Sequence, residues 1–256
     1  MGVLNVTPDS FSDGNEYINT ELAVEHALTM VKKGATIIDI GGESSRPGSK
    51  AISAQEEIDR ILPVIQILTK GEFLISVDSY KPEVQKLVLE EGVHLINDIM
   101  GGNEQLFEYA EKHQAGLILM HTSGAPDVMQ ENTQYENIIS DIRSYFEKRL
   151  EVSKNYNIPY ICMDPGIGFG KTLEQNLAIL KHIEQFICPN WNLLIGTSRK
   201  SWIGKLFDVE TNERLGASIA SIIHCYQKGV TIFRVHDVQE SYQAIQTIKN
   251  LSVDLK

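Results

Sequence analysis

The sequence predicts an α/β fold, a single (β/α)8 barrel of the TIM type with its active site at the carboxyl ends of the strands. Short runs of β-branched and aliphatic residues recur eight times along the 256 residues, and segments of helical periodicity separate them. Their average spacing of roughly 30 residues is the size of one strand and helix unit. The runs, interpreted as buried parallel strands, are residues 2–6, 36–40, 74–77, 95–96, 116–120, 160–163, 193–195 and 231–235.

The segments between these runs predict helices with recognisable ends. The clearest helix is predicted over residues 54–69, where Ser53 and Glu56 form a capping-box pattern and apolar side chains recur on one face. Four glycines that lie shortly before strands are interpreted as helix ends, namely Gly34, Gly92, Gly116 and Gly229. A doubly wound open sheet is the competing architecture. The barrel is favoured because a doubly wound sheet normally has fewer strands and a glycine fingerprint in its first turn.

Composition limits the partners and the compartment. Hydrophobic residues make up 42% and no composition break appears, so one domain over residues 1–256 is expected. The formal net charge of -11 argues against nucleic acid or an anionic membrane as partner. No apolar run approaches the ~18 residues of a membrane span, so we expect a cytoplasmic protein. The cysteines, Cys162, Cys188 and Cys225, lack the spacing of a disulfide framework or a zinc site.

Polar residues follow every predicted strand, and in a barrel the carboxyl ends of the strands meet on one face. Any single strand end is often polar because a turn begins there. A full ring of such residues is instead typical of a barrel active site. The ring consists of Asn5, Asp39, Asp78, Asn97 with Asp98, His121, Asp164, Ser198 with Lys200, and Arg234 with His236.

The chemistry of this ring indicates a heterocycle and an anion as ligands. Asp78, Asp164 and Asn97 suit a ring edge with paired N–H donors, because a carboxylate accepts two parallel hydrogen bonds from such an edge. The alternative for both aspartates is a helix N-cap. The cations of the rim indicate an anion site, with ordinary salt bridges as the alternative; they are Arg46, Lys200, Arg234 and His236.

The segment 164–172, DPGIGFGKT, is similar to a phosphate-binding loop but lacks its spacing. Only three residues separate Gly166 from Gly170, so a Walker nucleotide site is not expected. The glycines instead predict a tight backbone turn beneath a flat ligand, with Phe169 available to stack. His121 has no second ligand nearby in the sequence, so it is interpreted as a hydrogen-bonded structural histidine rather than a metal ligand.

Eight segments resemble, in order, the signature blocks of the dihydropteroate synthase family. They are residues 2–14, 39–48, 76–82, 97–98, 120–121, 164–170, 198–200 and 234–237, and they span nearly the whole chain. A single block of this kind would be weak evidence for the family, but the ordered series of eight is specific to it. The resemblance implies a transferase of folate biosynthesis that joins 4-aminobenzoate to 6-hydroxymethyl-7,8-dihydropterin diphosphate, giving dihydropteroate and diphosphate. It also implies a homodimer that sulfonamides target.

The same resemblance implies the role of each site residue. The catalytic set is Lys200, Asp78, Arg234 and His236. The pterin would be bound by Asp78, Asn97, Asp164, Lys200, Phe169 and Met120, and the diphosphate by Arg46, Arg234 and His236. The aminobenzoate pocket would contain Ser45, Arg46, Pro47, Phe11 and Ser198. Asn5 would give its amide oxygen as a ligand to a Mg²⁺ ion that also binds the diphosphate. A single protein ligand suits magnesium, because this ion usually keeps several of its waters.

Two other functions compete with this one. A methyltetrahydrofolate-binding methyltransferase domain has no diphosphate to hold, so Arg234, His236 and the 45–47 loop argue against it. A catalytically silent pterin-binding protein should have lost Asn5, Arg46 or Lys200, and all three are present.

Overall fold

The computed structural model describes residues 1–7, 16–44, 49–124, 128–131 and 133–252. Strands and helices alternate along it. The strands are β1 (Gly2–Asn5), β2 (Ile37–Gly41), β3 (Leu74–Asp78), β4 (Leu95–Asp98), β5 (Gly116–Met120), β6 (Ile161–Asp164), β7 (Asn192–Ile195) and β8 (Ile232–Phe233). The helices are α1 (Glu16–Lys32), α2 (Ala54–Leu68), α3 (Pro82–Glu90), α4 (Glu104–His113), α5 (Ile138–Ser153), α6 (Leu173–Lys181), α7 (Ser201–Phe207), α8 (Leu215–Gln227) and α9 (Val238–Leu251).

The eight strands form one parallel sheet in the sequential order β1 to β8. Backbone hydrogen bonds also join its two edges: Val3 N donates to Val235 O at 3.0 Å, and Val235 N donates to Met1 O at 2.9 Å. A doubly wound sheet would instead reverse its strand order at a switch point. The predicted α/β class with eight parallel strands is therefore confirmed, and the doubly wound alternative is wrong.

Side chains alternate between the two faces of each strand, and this alternation divides the core from the site. One residue in two packs under the helices in the main hydrophobic core, as Ile38, Ile40, Leu117 and Leu119 do. The intervening residues point to the inner face of the sheet. In the interior of three strands this face is apolar, with a buried cluster of Ile118, Cys162 and Leu194. Towards the carboxyl ends it is polar.

Most of the predicted element boundaries agree with the structure to within one or two residues. Helix α2 ends one residue earlier than predicted, and its N-cap Ser53 accepts a hydrogen bond from the Glu56 backbone at 3.1 Å. Gly34, Gly92 and Gly229 have positive φ angles of 105°, 85° and 101°, as expected just after a helix.

One of the predicted helix-ending glycines was wrong. Gly116 is the first residue of β5, and Gln114 with φ 51° caps the preceding helix. A Cβ atom on Gly116 would lie 2.7 Å from Leu95 Cδ2, so close packing between neighbouring strands explains this glycine. Among the described residues, every helix is too short or too polar to cross a membrane.

Candidate active site

A layer of polar side chains covers the inner face of the sheet near the carboxyl ends of the strands. It brings together the acids and the amide predicted for the pterin with Arg234, the cation that follows the last strand. Asp39 is fully buried, and Asn97, Met120 and Asp164 are only 4%, 3% and 5% exposed. This placement agrees with the predicted ring of strand-end residues, with two differences from what the sequence predicted.

The first difference is Asp98, which lies on the opposite face of β4 from Asn97. Its Oδ2 accepts a hydrogen bond from Gln85 Nε2 at 2.9 Å, and its Oδ1 accepts one from Met100 N at 2.7 Å. Successive residues of a strand point to opposite faces, so Asn97 and Asp98 cannot both reach the same ligand. Asp98 therefore fixes the turn after β4 against helix α3.

The second difference is Asp39, a member of the ring to which the sequence assigned no role. Arg234 lies between two carboxylates: its Nε is 2.6 Å from Asp39 Oδ2, and its Nη2 is 2.7 Å from Asp78 Oδ2. Asn97 Nδ2 also donates to Asp39 Oδ2 at 3.1 Å. Arg234 is thus salt-bridged to both carboxylates, and its assignment to the diphosphate stays a prediction. Asp39 orients the cation that the sequence assigned to the diphosphate.

The charges of this group shift one another's pKa values. Burial, the largest cause, raises the pKa of Asp78 to about 7, with Arg234 opposing the rise and Asp39 adding to it. Burial alone would lower the pKa of Arg234, but the carboxylates of Asp39 and Asp78 outweigh it and raise this pKa. Arg234 is therefore a permanent cation, whereas Asp78 can change its protonation state near neutral pH.

Asp164 and Lys200 form the neighbouring part of the site. Asp164 Oδ1 accepts a hydrogen bond from Gly166 N at 2.7 Å, and burial raises the pKa of its carboxyl group. Lys200 Nζ donates to Ile167 O and lies 4.6 Å from the centre of the Phe169 ring. Burial lowers the pKa of Lys200 to about 8. A carboxylate, an ammonium group and an aromatic face are thus available to one flat ligand.

The N-cap alternative for the two aspartates is wrong. Helix α3 is capped by Lys81, and helix α6 by Thr172, whose hydroxyl accepts from Gln175 N at 3.2 Å. Asp78 and Asp164 precede these caps and face the inner rim instead. Their carboxylates are therefore not used as helix caps.

The glycine segment after β6 turns as tightly as the sequence predicted. Gly166, Gly168 and Gly170 have positive φ angles of 67°, 88° and 61°. A Cβ atom on Gly166 would lie only 2.1 Å from the carbonyl oxygen of His121, so only glycine fits there. This path of the backbone also sets the position of Phe169, because the turn places its ring beside Lys200.

Two loops at the end of the sheet are joined through residues of the predicted aminobenzoate and diphosphate sites. Ser198 Oγ accepts from the backbone nitrogen of His236 at 3.2 Å and lies 3.2 Å from its ring Nδ1. Arg199, in the left-handed region at φ 55°, pairs with Asp237, its Nε lying 2.8 Å from Asp237 Oδ2. These contacts hold Ser198 and His236 side by side.

His121 is buried, but the expectation that its ring is fully hydrogen-bonded was wrong. In the described part of the chain its Nδ1 has no hydrogen-bond partner. The ring packs edge-on against Tyr145, with centroids 5.0 Å apart, and burial lowers the pKa of His121 to about 3. His121 is therefore a neutral packing residue beneath Met120.

A buried ion cluster that the sequence did not assign lies next to the site. Lys81 Nζ is 2.6 Å from Glu43 Oε2 and 2.6 Å from Glu57 Oε2. Glu43 Oε2 also accepts from the backbone nitrogen of Ile52 at 2.8 Å, and Tyr80 donates to Oε1 at 2.8 Å. Burial would raise the pKa of Glu43, but these partners outweigh it and lower this pKa. The cluster ties β2 to α2 and to the turn after β3.

Four predicted site residues lie outside the described residues. They are Phe11, Ser45, Arg46 and Pro47. Their assigned roles in aminobenzoate and diphosphate binding stay predictions.

The donor set fits a magnesium ion only if the substrate brings most of its ligands. Asn5 ends β1, and its Oδ1 lies 4.0 Å from the position that a Cβ atom on Gly41 would occupy. Among the described residues no group of three or more His, Cys, Asp or Glu side chains could hold a metal ion. One amide oxygen suits a hydrated ion already bound to a diphosphate.

Comparison with known proteins agrees with the resemblance read from the sequence. Residues 1–236 match the family described as pterin binding enzyme. Dihydropteroate synthase of Escherichia coli strain K12 is 42% identical over 253 residues, which cover 97% of this chain and 90% of the relative.

Solved structures are equally similar. The Yersinia pestis dihydropteroate synthase in a sulfonamide drug complex has a TM-score of 0.91 and 40% identity, covering 98% of this chain and 93% of that one. The Xanthomonas albilineans dihydropteroate synthase with 4-aminobenzoic acid has a TM-score of 0.91 and 32% identity, covering 99% of this chain and 93% of that one. With a family match over most of its length and relatives of this similarity, the chain belongs to the dihydropteroate synthase family of pterin-binding enzymes.

Proposed function

We propose that this chain joins 6-hydroxymethyl-7,8-dihydropterin diphosphate to 4-aminobenzoate, with its active site at the carboxyl ends of the strands. The observation that carries the proposal is the shared inner rim, where Asp164 and Lys200 lie next to the pair of Arg234 and Asp78. A pterin needs a hydrogen-bond acceptor for its amino-pyrimidinone edge and a donor for its carbonyl. This rim offers both within a buried, low-dielectric space, where such hydrogen bonds are strong.

Asp164 is the residue best placed to accept the two N–H groups of the pyrimidinone edge. Its Oδ1 accepts a hydrogen bond from Gly166 N, which would leave the second oxygen to accept from the ligand. Asn97 and Asp78 would contact the remainder of the ring, and Met120 would line the pocket. Lys200 would leave Ile167 O and donate to the carbonyl and N5 side of the pterin, while Phe169 stacks on the ring.

The leaving diphosphate needs positive charge, and Arg234 supplies part of it. Two of its nitrogens are held by Asp39 and Asp78, and in the described part of the chain Nη1 has no protein acceptor. Nη1 can therefore donate to a phosphate oxygen without breaking an existing ion pair. His236 would add a second donor, and Arg46 a third. Mg²⁺, held by Asn5 and the diphosphate, would supply further charge neutralisation when bound.

The chemistry is a substitution at the pterin methylene carbon. The bond from this carbon to the diphosphate oxygen breaks first, and both electrons leave with the diphosphate. The carboxylates of Asp78 and Asp164 stabilise the positive charge left on the pterin. The nitrogen of 4-aminobenzoate then bonds to the methylene carbon and releases one proton to the diphosphate or to water. No side chain becomes covalently attached.

Several features of the proposal rest on the family alone. The 4-aminobenzoic acid bound to the Xanthomonas albilineans relative and the sulfonamide bound to the Yersinia pestis relative support an aminobenzoate pocket that sulfonamides can enter. We place Ser198 in this pocket together with Ser45, Arg46, Pro47 and Phe11. We also propose a single domain, a cytoplasmic location and a homodimer.

The experiment that tests the function combines the purified chain with Mg²⁺, the dihydropterin diphosphate and 4-aminobenzoate. Mass spectrometry should detect dihydropteroate, and phosphate analysis after pyrophosphatase treatment should detect diphosphate in equal amount. A reaction without 4-aminobenzoate serves as the control, because hydrolysis alone would release diphosphate without dihydropteroate. Folded protein that forms no dihydropteroate from authentic substrates would overturn the proposal.

A further inference from the structure

Lys171 is the one lysine of the glycine segment 164–172, and it is buried to an unusual degree. It is only 2% exposed and ranks among the largest buried side chains of the described chain. Its ammonium group donates to two backbone carbonyls, Phe169 O at 2.8 Å and His121 O at 3.2 Å. No carboxylate of the described residues lies within ion-pair distance of it.

These two carbonyls belong to different loops of the site. His121 directly follows Met120 at the end of β5, and Phe169 lies between Gly168 and Gly170 in the loop after β6. The Lys171 ammonium group therefore cross-links the two loops. Because a loop with three glycines in the left-handed region has little intrinsic preference for one path, such a link decides where it lies.

Two further side chains hold the same loop. Asn176 is 2% exposed; its Oδ1 accepts from Gly168 N at 2.7 Å, and its Nδ2 donates to Thr172 O at 2.7 Å. Tyr135 donates its hydroxyl to Gly170 O at 3.1 Å. The loop is thus fixed at its middle by Asn176 and at its end by Tyr135.

The upper side of this loop presents the groups that meet the ligand. Lys200 rests on it, donating to Ile167 O and lying over the Phe169 ring. A shift of the loop would therefore move the stacking face and the resting place of the Lys200 ammonium group together. Lys171 is linked to both through its hydrogen bond to Phe169 O in the same loop.

The burial of Lys171 is hard to explain by stability. Removing an ammonium group from water is costly, and an apolar side chain of similar volume is often as stable or more so. The titratable groups that face it are Asp164, Lys200 and His121, and among these only Asp164 carries opposite charge. Burial lowers the pKa of Lys171 to about 7. A methionine would pack here without that cost, but it could not bind two carbonyls.

We propose that Lys171, assisted by Asn176 and Tyr135, is a positioning residue that sets the pterin-stacking loop and thereby the affinity for the pterin. This inference rests on the proposed function. It assigns a role to the one lysine of the segment whose spacing excludes a nucleotide-binding motif. It predicts an effect on pterin binding that is separate from any effect on aminobenzoate.

The test compares Lys171→Met with the wild type and with Lys205→Met, a matched change at an exposed lysine of helix α7. Circular dichroism and thermal unfolding establish that each variant is folded. Calorimetry measures the affinity for 6-hydroxymethylpterin, and steady-state kinetics measure KM for each substrate. We expect Lys171→Met to weaken pterin binding about tenfold or more, with KM for 4-aminobenzoate changed less than about twofold. Lys171→Arg, which can donate to the same carbonyls, should bind more tightly than Lys171→Met.

Three outcomes would overturn the inference: wild-type pterin affinity in folded Lys171→Met, an equal loss for both substrates, or Lys171→Arg binding no better than Lys171→Met. If Lys171→Met does not fold, Tyr135→Phe replaces it, since it removes only a hydroxyl that donates to Gly170 O of the same loop. Tyr135→Phe should weaken binding of the pterin about threefold, and an unchanged affinity would refute the positioning role. Wild-type protein that binds the pterin but forms no dihydropteroate would overturn the function alone, whereas protein that does neither would overturn both.

Discussion

Replacing Asp39 with asparagine removes one buried charge while keeping the size of the side chain. Asp39 is fully buried and accepts hydrogen bonds from Arg234 at 2.6 Å and from Asn97 at 3.1 Å. Removing one partner of a buried ion pair costs about 3 to 5 kcal/mol. Because Arg234 keeps Asp78 as a partner, we expect the lower value, about 3 kcal/mol. For a chain of this size that corresponds to a fall in Tm of about 6 to 12 °C.

The same substitution should change the pH dependence of the reaction. The charge of Asp39 raises the pKa of Asp78, while Arg234 lowers it. Without Asp39, the pKa of Asp78 falls from its value of about 7. If ionised Asp78 stabilises the charge on the pterin, the acidic limb of kcat/KM for the pterin substrate moves to lower pH in the variant.

The assay measures kcat/KM across the pH range in which both proteins stay folded, together with thermal unfolding. Asp59→Asn is the matched control, since Asp59 is exposed on helix α2 and lies outside the site. The control should leave the Tm and the acidic limb unchanged. A limb that stays in place or moves to higher pH in Asp39→Asn would refute the coupling between Asp39 and Asp78. An unchanged Tm would refute the energetic role of the ion pair.

Three more substitutions test other parts of the site. Lys200→Ala should lower kcat/KM about tenfold or more by removing a charge-assisted contact. The control variant Lys205→Ala should keep wild-type kinetics. Equal kinetics in the two variants would exclude Lys200 from the mechanism. Gly166→Ala forces a Cβ atom to 2.1 Å from His121 O at φ 67°, so pterin binding should be lost. Gly216→Ala is the control, because a Cβ atom there meets open space. Calorimetry with 6-hydroxymethylpterin measures both variants, and binding by both would refute the reasoning. His121 has a folded pKa of about 3 against 6.5, so the unfolded chain binds a proton that the folded chain does not, and stability is lost as pH falls from 6.5 towards 3. His121→Gln should flatten that fall in urea unfolding curves, and an unchanged slope would contradict the assignment.

Hydrophobic runs were sufficient to predict the strands because every strand is buried on at least one face. β5 has the predicted bounds, 116–120, and the others differ by one or two residues, most often at the carboxyl end. There the last residue is polar, as in Asp78 and Asp164, and an apolar run ends before it. The last strand is the weakest match, since only Ile232–Phe233 of the predicted 231–235 is strand.

The site was predicted less completely because sequence position alone gives no direction to a side chain. Asn97 and Asp98 were adjacent candidates, and only the alternation of β4 separates the inner residue from the outer one. Asp39 was recognised as a strand-end residue, but its pairing with Arg234 joins positions 195 residues apart. Such a contact follows from the meeting of β2 and β8 with β1, which the order of the chain does not show.

The charges of the inner layer also indicate where the diphosphate must be held. Asp39, Asp78 and Asp164 contribute three carboxylates, and Arg234 and Lys200 with the buried Lys171 contribute three cations. This part of the site is therefore close to neutral, which suits an uncharged pterin ring but not a diphosphate. The extra positive charge has to come from outside the layer, because Arg234 is already shared by two carboxylates. His236, the predicted Arg46 and a metal ion carried by the substrate are the sources that this chain offers. We therefore expect the pterin to be oriented by the strands, and its leaving group to be neutralised by the loops.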